Sequence, residues 1–264
     1  SLFFVFGQTG YFMGPIIGGI LLSRWEPVSL ASMALAAAIT GLWATFYRSP
    51  VAAVRMQAGG VKTPVLRYPW FFILFLALTA GFQSWTQQNV TTFLPKYLSE
   101  LGQSPAQYGL LSALFMAGSA LGNLVGGSLA DRFGRWKVIF IALASGAIPL
   151  LILANLGNST WLFLFILLAG LCNGSAYSAV VVIAQRLMPG GIALASGLAL
   201  AFIFSSGSLG ALVSGSIADK IGIAPIFTLS ALISLAGGLL ALGLREKKPT
   251  TLFAAEAGFA SSQD

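Results

Sequence analysis

Residues 107–137 read QYGLLSALFMAGSALGNLVGGSLADRFGRWK, and the pattern in this stretch decides the fold. An almost uncharged run, long enough to match the roughly 20 residues that cross a bilayer's hydrocarbon core, stops abruptly at Asp131, Arg132, Arg135 and Lys137. Inside the run Gly118, Gly122 and Gly126 recur at every fourth position, with Gly127 beside the last. Residues four apart share one face of a helix. The glycines therefore form a flat seam on which a second helix can lie with its backbone close.

The same pattern occurs twice more. Gly10, Gly14, Gly18, Gly19 and Arg24 each stand 108 residues before Gly118, Gly122, Gly126, Gly127 and Arg132. Ser206, Gly210, Ser214, Gly215 and Lys220 each stand 88 residues after them. Eighty-eight residues is the length of three membrane helices with short loops. The longer gap holds one extra polar connector, 48–69, with Arg48, Arg55, Lys62 and Arg67 and the breakers Pro50, Gly59, Gly60 and Pro64. The chain is thus expected to be built from three-helix units in which the small-residue helix is the second, the arrangement of repeats found in secondary transporters.

Composition agrees. The chain has 264 residues, of which 57% are hydrophobic and only 8% charged, against about 25% charged in soluble domains. Eight apolar blocks, 2–22, 27–47, 70–94, 107–130, 138–156, 161–185, 193–217 and 223–244, predict an all-α polytopic membrane bundle, since a backbone in lipid must satisfy its own hydrogen bonds. The cations lie between these blocks. Eleven fall on one set of alternate connections (48–69, 132–137, Arg186, 245–248) and three (Arg24, Lys96, Lys220) on the other. Positive charge collects on the cytoplasmic side, which places 48–69, 131–137 and the C-terminus there. The net charge of +7 is spread over these loops and forms no basic face, so no nucleic-acid partner is expected. With no His, one cysteine (Cys172) and no Asp or Glu inside a span, the ingredients of a membrane enzyme or a metal centre are missing. No cofactor is expected.

The segment 127–137, GSLADRFGRWK, resembles the signature loop of the major facilitator superfamily, and 215–222, GSIADKIG, is a weaker copy. The resemblance implies that residues 70–244 are the C-terminal six-helix half. Residues 1–47 would hold the last two helices of the N-terminal half, 48–69 the cytoplasmic inter-half loop and 245–264 a cytoplasmic tail. Four helices would precede Ser1, so the chain reads as N-terminally truncated. It also implies a bacterial inner-membrane location. Gly10, Gly14, Pro15, Gly18 and Gly19 resemble the fifth-helix motif of drug/proton antiporters, and a proline within a helix removes one hydrogen bond and bends it. The stretches 182–190, VIAQRLMPG, 195–198, ASGL, and 91–98, TTFLPKYL, are similar to the fosmidomycin resistance group.

By this resemblance Gly127, Asp131, Arg132, Gly134 and Arg135 gate the cytoplasmic side. Asp131 would dock near the N-terminal end of the first helix, with Arg132 or Arg135 as its charge partner. Polar residues inside spans face a cavity or another helix, and they concentrate in the third and sixth spans, the first members of their units. Gln83, Gln87, Asn173 and Tyr177 are the candidate substrate-cavity residues. The expected activity is export of a small amphipathic compound or antibiotic in exchange for protons, with the titrating group outside this segment. An importer of a sugar or organic acid, and a non-transporting receptor or scaffold on the same frame, are the competing readings.

Overall fold

A computed structural model describes residues 13–23, 31–46, 69–187 and 192–245. Gly10, Arg24, residues 48–68 of the connector and the chain beyond Arg245 lie outside the described residues. Every described element is helical: α1 Met13–Ser23, α2 Ala31–Phe46, α3 Trp70–Glu100, α4 Pro105–Phe133, α5 Arg135–Leu153, α6 Leu162–Leu187, α7 Ile192–Ile221 and α8 Ala224–Ala241, followed by a 3-10 turn, Leu242–Leu244. The elements fall where the eight apolar blocks stand. Five of them, α4 to α8, are long and apolar enough to cross a membrane. α3 has 31 residues and, at about 1.5 Å per residue, is long enough as well, but the polar run 83–92 dilutes it. It is two turns longer than the apolar block because the helix continues through Pro95 to Glu100.

The ends of the helices are set locally. α4 starts at a capping box, in which Ser104 and Gln107 bond each other's ends, with Pro105 at the first helical position. It stops at Gly134, whose φ of +95° a side chain would resist; the Gly134 amide donates to Ala130 O at 3.1 Å, and α5 begins at the next residue. The Asp131–Arg135 turn is therefore a sharp reversal between two long helices.

The repeated units exchange contacts. The second helix of one complete unit, α4, packs on the first helix of the next, α6; α7 packs in return on α3; and the third helices, α5 and α8, pack on each other. The glycine seam explains the first pairing. A methyl at Gly118, Gly122 or Gly126 would overlap main-chain atoms of Leu167, Leu171 or Ser175, and one at Gly170 or Gly174 would overlap Phe115 or Ser119. Glycines on both sides let the two backbones touch. Ser175 Oγ closes the seam by donating to Gly122 O at 3.1 Å. In the return pairing larger groups fill the groove: the Trp85 ring lies over Gly210, and Ser84 lies against Gly207.

Two apolar cores flank the middle of the bundle. One gathers Phe93, Leu98, Phe115, Leu153 and Phe227. The other, around Phe72, Ile139, Leu143, Val180 and Leu244, lies toward the end that carries Trp136. Many large apolar side chains face outward, among them Leu124, Ile141, Leu209, Leu212 and Leu232, each more than half exposed. Such an outer surface suits lipid and not water.

Candidate functional site: a buried amide cluster and two helix crossings

α3 is the hub of the polar contacts. Gln83 Nε2 donates to Asn173 Oδ1 on α6 at 2.9 Å and to Gln87 Oε1 at 3.2 Å. Asn173 Nδ2 returns a bond to the Gln83 carbonyl at 3.3 Å. At the next two positions Ser84 Oγ donates to Ile203 O and Trp85 Nε1 to Ser214 Oγ at 2.9 Å, both on α7. Thr86 Oγ1 and Asn89 Nδ2 reach Ser230 on α8, at 3.3 and 3.0 Å. Tyr97 donates to Leu153 O at the end of α5, 3.1 Å away. These bonds satisfy polar groups through partners on other helices, as the absence of water in a hydrocarbon layer favours.

The cavity candidates thus divide. Gln83, Gln87 and Asn173 form one cluster near the middles of α3 and α6. Gln83 is 0% exposed and Asn173 5% exposed, so both serve as interhelical links. Gln87 and Tyr177 are half-buried. Gln83 Oε1, fully enclosed, has no hydrogen-bond partner among the described residues. Thr79 Oγ1, Asn89 Oδ1 and Asn123 Oδ1 are in the same state among the described residues, and a buried acceptor left unpaired costs roughly 1–3 kcal/mol.

At the reversal between α4 and α5, Asp131 is exposed, and its carboxylate meets Arg135 Nη2 at 3.4 Å, one turn away. The Arg135 side chain is mostly covered, at 14% exposure. Arg132 is exposed. The N-terminal end of the first helix, where Asp131 was expected to dock, lies outside the described residues.

α1 crosses the N-terminal half of α4 with glycine on glycine. A methyl on Gly109 would come within 2.5 Å of Pro15 O and 2.9 Å of Gly19 Cα; one on Gly19 would come within 2.6 Å of Pro105 O. Gly14 has open space around it, and Gly18 touches only Met33. Of the proline/glycine motif, Pro15 and Gly19 make the crossing. Beside it is a cavity of about 240 Å³ walled by Pro15, Leu22, Thr91, Leu94, Tyr108 and Met116. Gly109, the partner of Gly19, was missed in the sequence. It stands nine residues before Gly118, about two and a half turns, so it lies on the face of α4 opposite the seam, and the four-residue spacing gave no signal for it.

No cluster of His, Cys, Asp or Glu that could hold a metal occurs among the described residues. The described cations with placed side chains, Lys96, Arg132, Arg135, Lys137, Lys220 and Arg245, all sit at helix ends.

A family model described as Major Facilitator Superfamily matches residues 76–261, most of the chain. The chain belongs to the major facilitator superfamily. As a member it is an integral, multi-pass membrane protein. Among similar proteins is the fosmidomycin resistance protein of Escherichia coli (strain K12), 29% identical over 90% of this chain and 60% of that protein. Another is the multidrug resistance protein MdtG of Citrobacter koseri, 31% identical over 58% of this chain and 39% of its own length. A third is a gallate transporter of Pseudomonas putida, 28% identical over 48% of this chain and 28% of its own. The chain spans about 60% of the length of the first of these superfamily relatives.

Proposed function

We propose that this chain is part of a carrier that exports a small amphipathic compound in exchange for protons by alternating access. In this reading residues 70–244 are the C-terminal six-helix half. Residues 1–47 contribute the last two helices of the other half, 48–69 is the cytoplasmic inter-half loop and 245–264 a cytoplasmic tail.

The observation that carries the proposal is the Gln83–Gln87–Asn173 cluster. It joins the first helices of the two units near mid-membrane and leaves the Gln83 Oε1 acceptor unsatisfied. A ligand that engages the half-buried Gln87 would pull on the amide that holds α3 to α6. Binding is thereby tied to how the two units pack, which is what a carrier needs if its substrate is to bias one conformation over the other.

Two further features support it. The crossing of α1 on α4 is backbone against backbone, so few side chains would have to repack if the bodies rock. Asp131 and Arg135 are poised at the cytoplasmic reversal, where the superfamily's signature loop latches the two halves. The relatives named for drug resistance favour export.

The test is expression of the intact gene in a drug-sensitive bacterial strain. Export predicts raised resistance to at least one amphipathic compound, with lowered intracellular accumulation that a protonophore abolishes. Raised accumulation of the same compound would identify an importer and refute the proposal.

A further inference from the structure

Lys137 and Arg245 share a single indole. Lys137 Nζ lies 5.7 Å and the Arg245 guanidinium carbon 5.4 Å from the centre of the Trp136 ring. Each contact is a favourable cation–π pair, but together they bring two like charges onto one ring. Among the described residues neither cation has a carboxylate within 4.0 Å; the ion pair there is Asp131 with Arg135. Among those residues the pair is short of an anion.

The surfaces leading to it are apolar and outward-facing. On α5, Lys137, Ile141 and Ile148 follow at helical spacing and are exposed. On α8 and its terminal turn, Leu235, Leu239, Leu242 and Arg245 do the same. The two helices touch at Gly238, where a methyl would come within 3.2 Å of the Ala144 nitrogen. Two lipid-suited stripes therefore run along neighbouring antiparallel helices, and each ends in a cation on the same tryptophan. Trp is the residue that settles at the headgroup level of a bilayer.

We propose that the Trp136–Lys137–Arg245 corner is a binding site for the phosphate of an anionic phospholipid, whose acyl chains lie along the exposed stripes of α5 and α8. The charge that the two cations lack and the apolar walls below them match one molecule with both features. A soluble anion would use only the first. The site would hold α5 to the end of α8 and is independent of whether the protein transports anything.

The experiment is tryptophan fluorescence of the intact purified protein in vesicles containing dibrominated phosphatidylglycerol or dibrominated phosphatidylcholine. Subtracting the Trp136→Phe variant isolates Trp136 among the six tryptophans. The phosphatidylglycerol should quench Trp136 preferentially. Lys137→Gln and Arg245→Gln should each lower that preference about fivefold, the weight of one cation near a charged lipid surface. Lys137→Arg should keep it. Glu246 follows Arg245 in the sequence, and Glu246→Gln should leave the preference intact or strengthen it. Millimolar inorganic phosphate should not displace the lipid. Equal quenching by both lipids, an unchanged preference in the Lys137→Gln/Arg245→Gln double variant, loss in Lys137→Arg or Glu246→Gln, or displacement by inorganic phosphate would each overturn the proposal.

Discussion

Gly122→Ala adds one methyl group at the tightest position that α4 contributes to the α4–α6 seam. The new carbon would overlap the Leu171 carbonyl and stand 2.9 Å from the Ser175 nitrogen. Those are backbone atoms of a long helix, so they cannot rotate away as a side chain would. α4 and α6 must instead separate along the seam, and dispersion contacts are lost at Gly118, Gly126, Gly170 and Gly174 as well. The Ser175–Gly122 hydrogen bond stretches with them. Overpacking of a filled interface costs about 1–3 kcal/mol, and the lost bond adds about 1 kcal/mol. A total of roughly 2–4 kcal/mol corresponds to a fall in midpoint of about 5–15 °C at the 2–4 °C per kcal/mol of chains this size. The assay is thermal unfolding of the purified protein in detergent, followed by the fraction that stays monodisperse. Gly127→Ala is the control, since a methyl there meets only Ser178 Oγ at 4.0 Å. If Gly122→Ala melts within a degree or two of Gly127→Ala, the two helices do not meet through their backbones and the pairing is wrong.

Asn173→Ala removes both links between Asn173 and Gln83 and leaves Gln83 Nε2 with only its bond to Gln87 Oε1. It should lower detergent stability by roughly 1–3 kcal/mol, whereas Gln87→Ala, at a half-buried site, should cost less in the same melt and more in transport. Asp131→Asn breaks only a long, exposed contact to Arg135, and exposed pairs contribute little. The melt should stay unchanged while drug efflux from whole cells falls, and an equal loss of both would make the residue structural. Gly109→Ala and Gly19→Ala should depress efflux far more than Gly14→Ala, which has open space around it. Equal effects in all three would remove the α1–α4 crossing from the mechanism.

Much of this architecture was legible because lipid leaves few alternatives. Apolar length fixed the helices, and the spacing of Gly118, Gly122 and Gly126 announced a backbone-to-backbone partner. Which helix that partner is could not be read, because a seam states its shape and not its address. The complementary Gly170 and Gly174 on α6, four apart, were the unused clue. The amides of the third and sixth spans stood out by their polarity. Their pairing across 90 residues depends on the relative rotation of two helices, which no local pattern encodes. Trp136 was visible only as part of a charged loop, and its contact with Arg245 follows from the packing of α5 on α8. The extension of α3 beyond its apolar block was hidden by Pro95, which reads as a breaker but is carried within the helix.

The account stands or falls on whether substrate movement is coupled to protons moving the other way. Everted membrane vesicles containing the intact protein, acidified inside by respiration and loaded with a pH-sensitive dye, measure this directly. Adding the compound to which the gene confers resistance should release protons and restore dye fluorescence, with an Asp131→Asn variant showing a much smaller response. A normal gradient that the compound leaves untouched in vesicles carrying the native protein would contradict it.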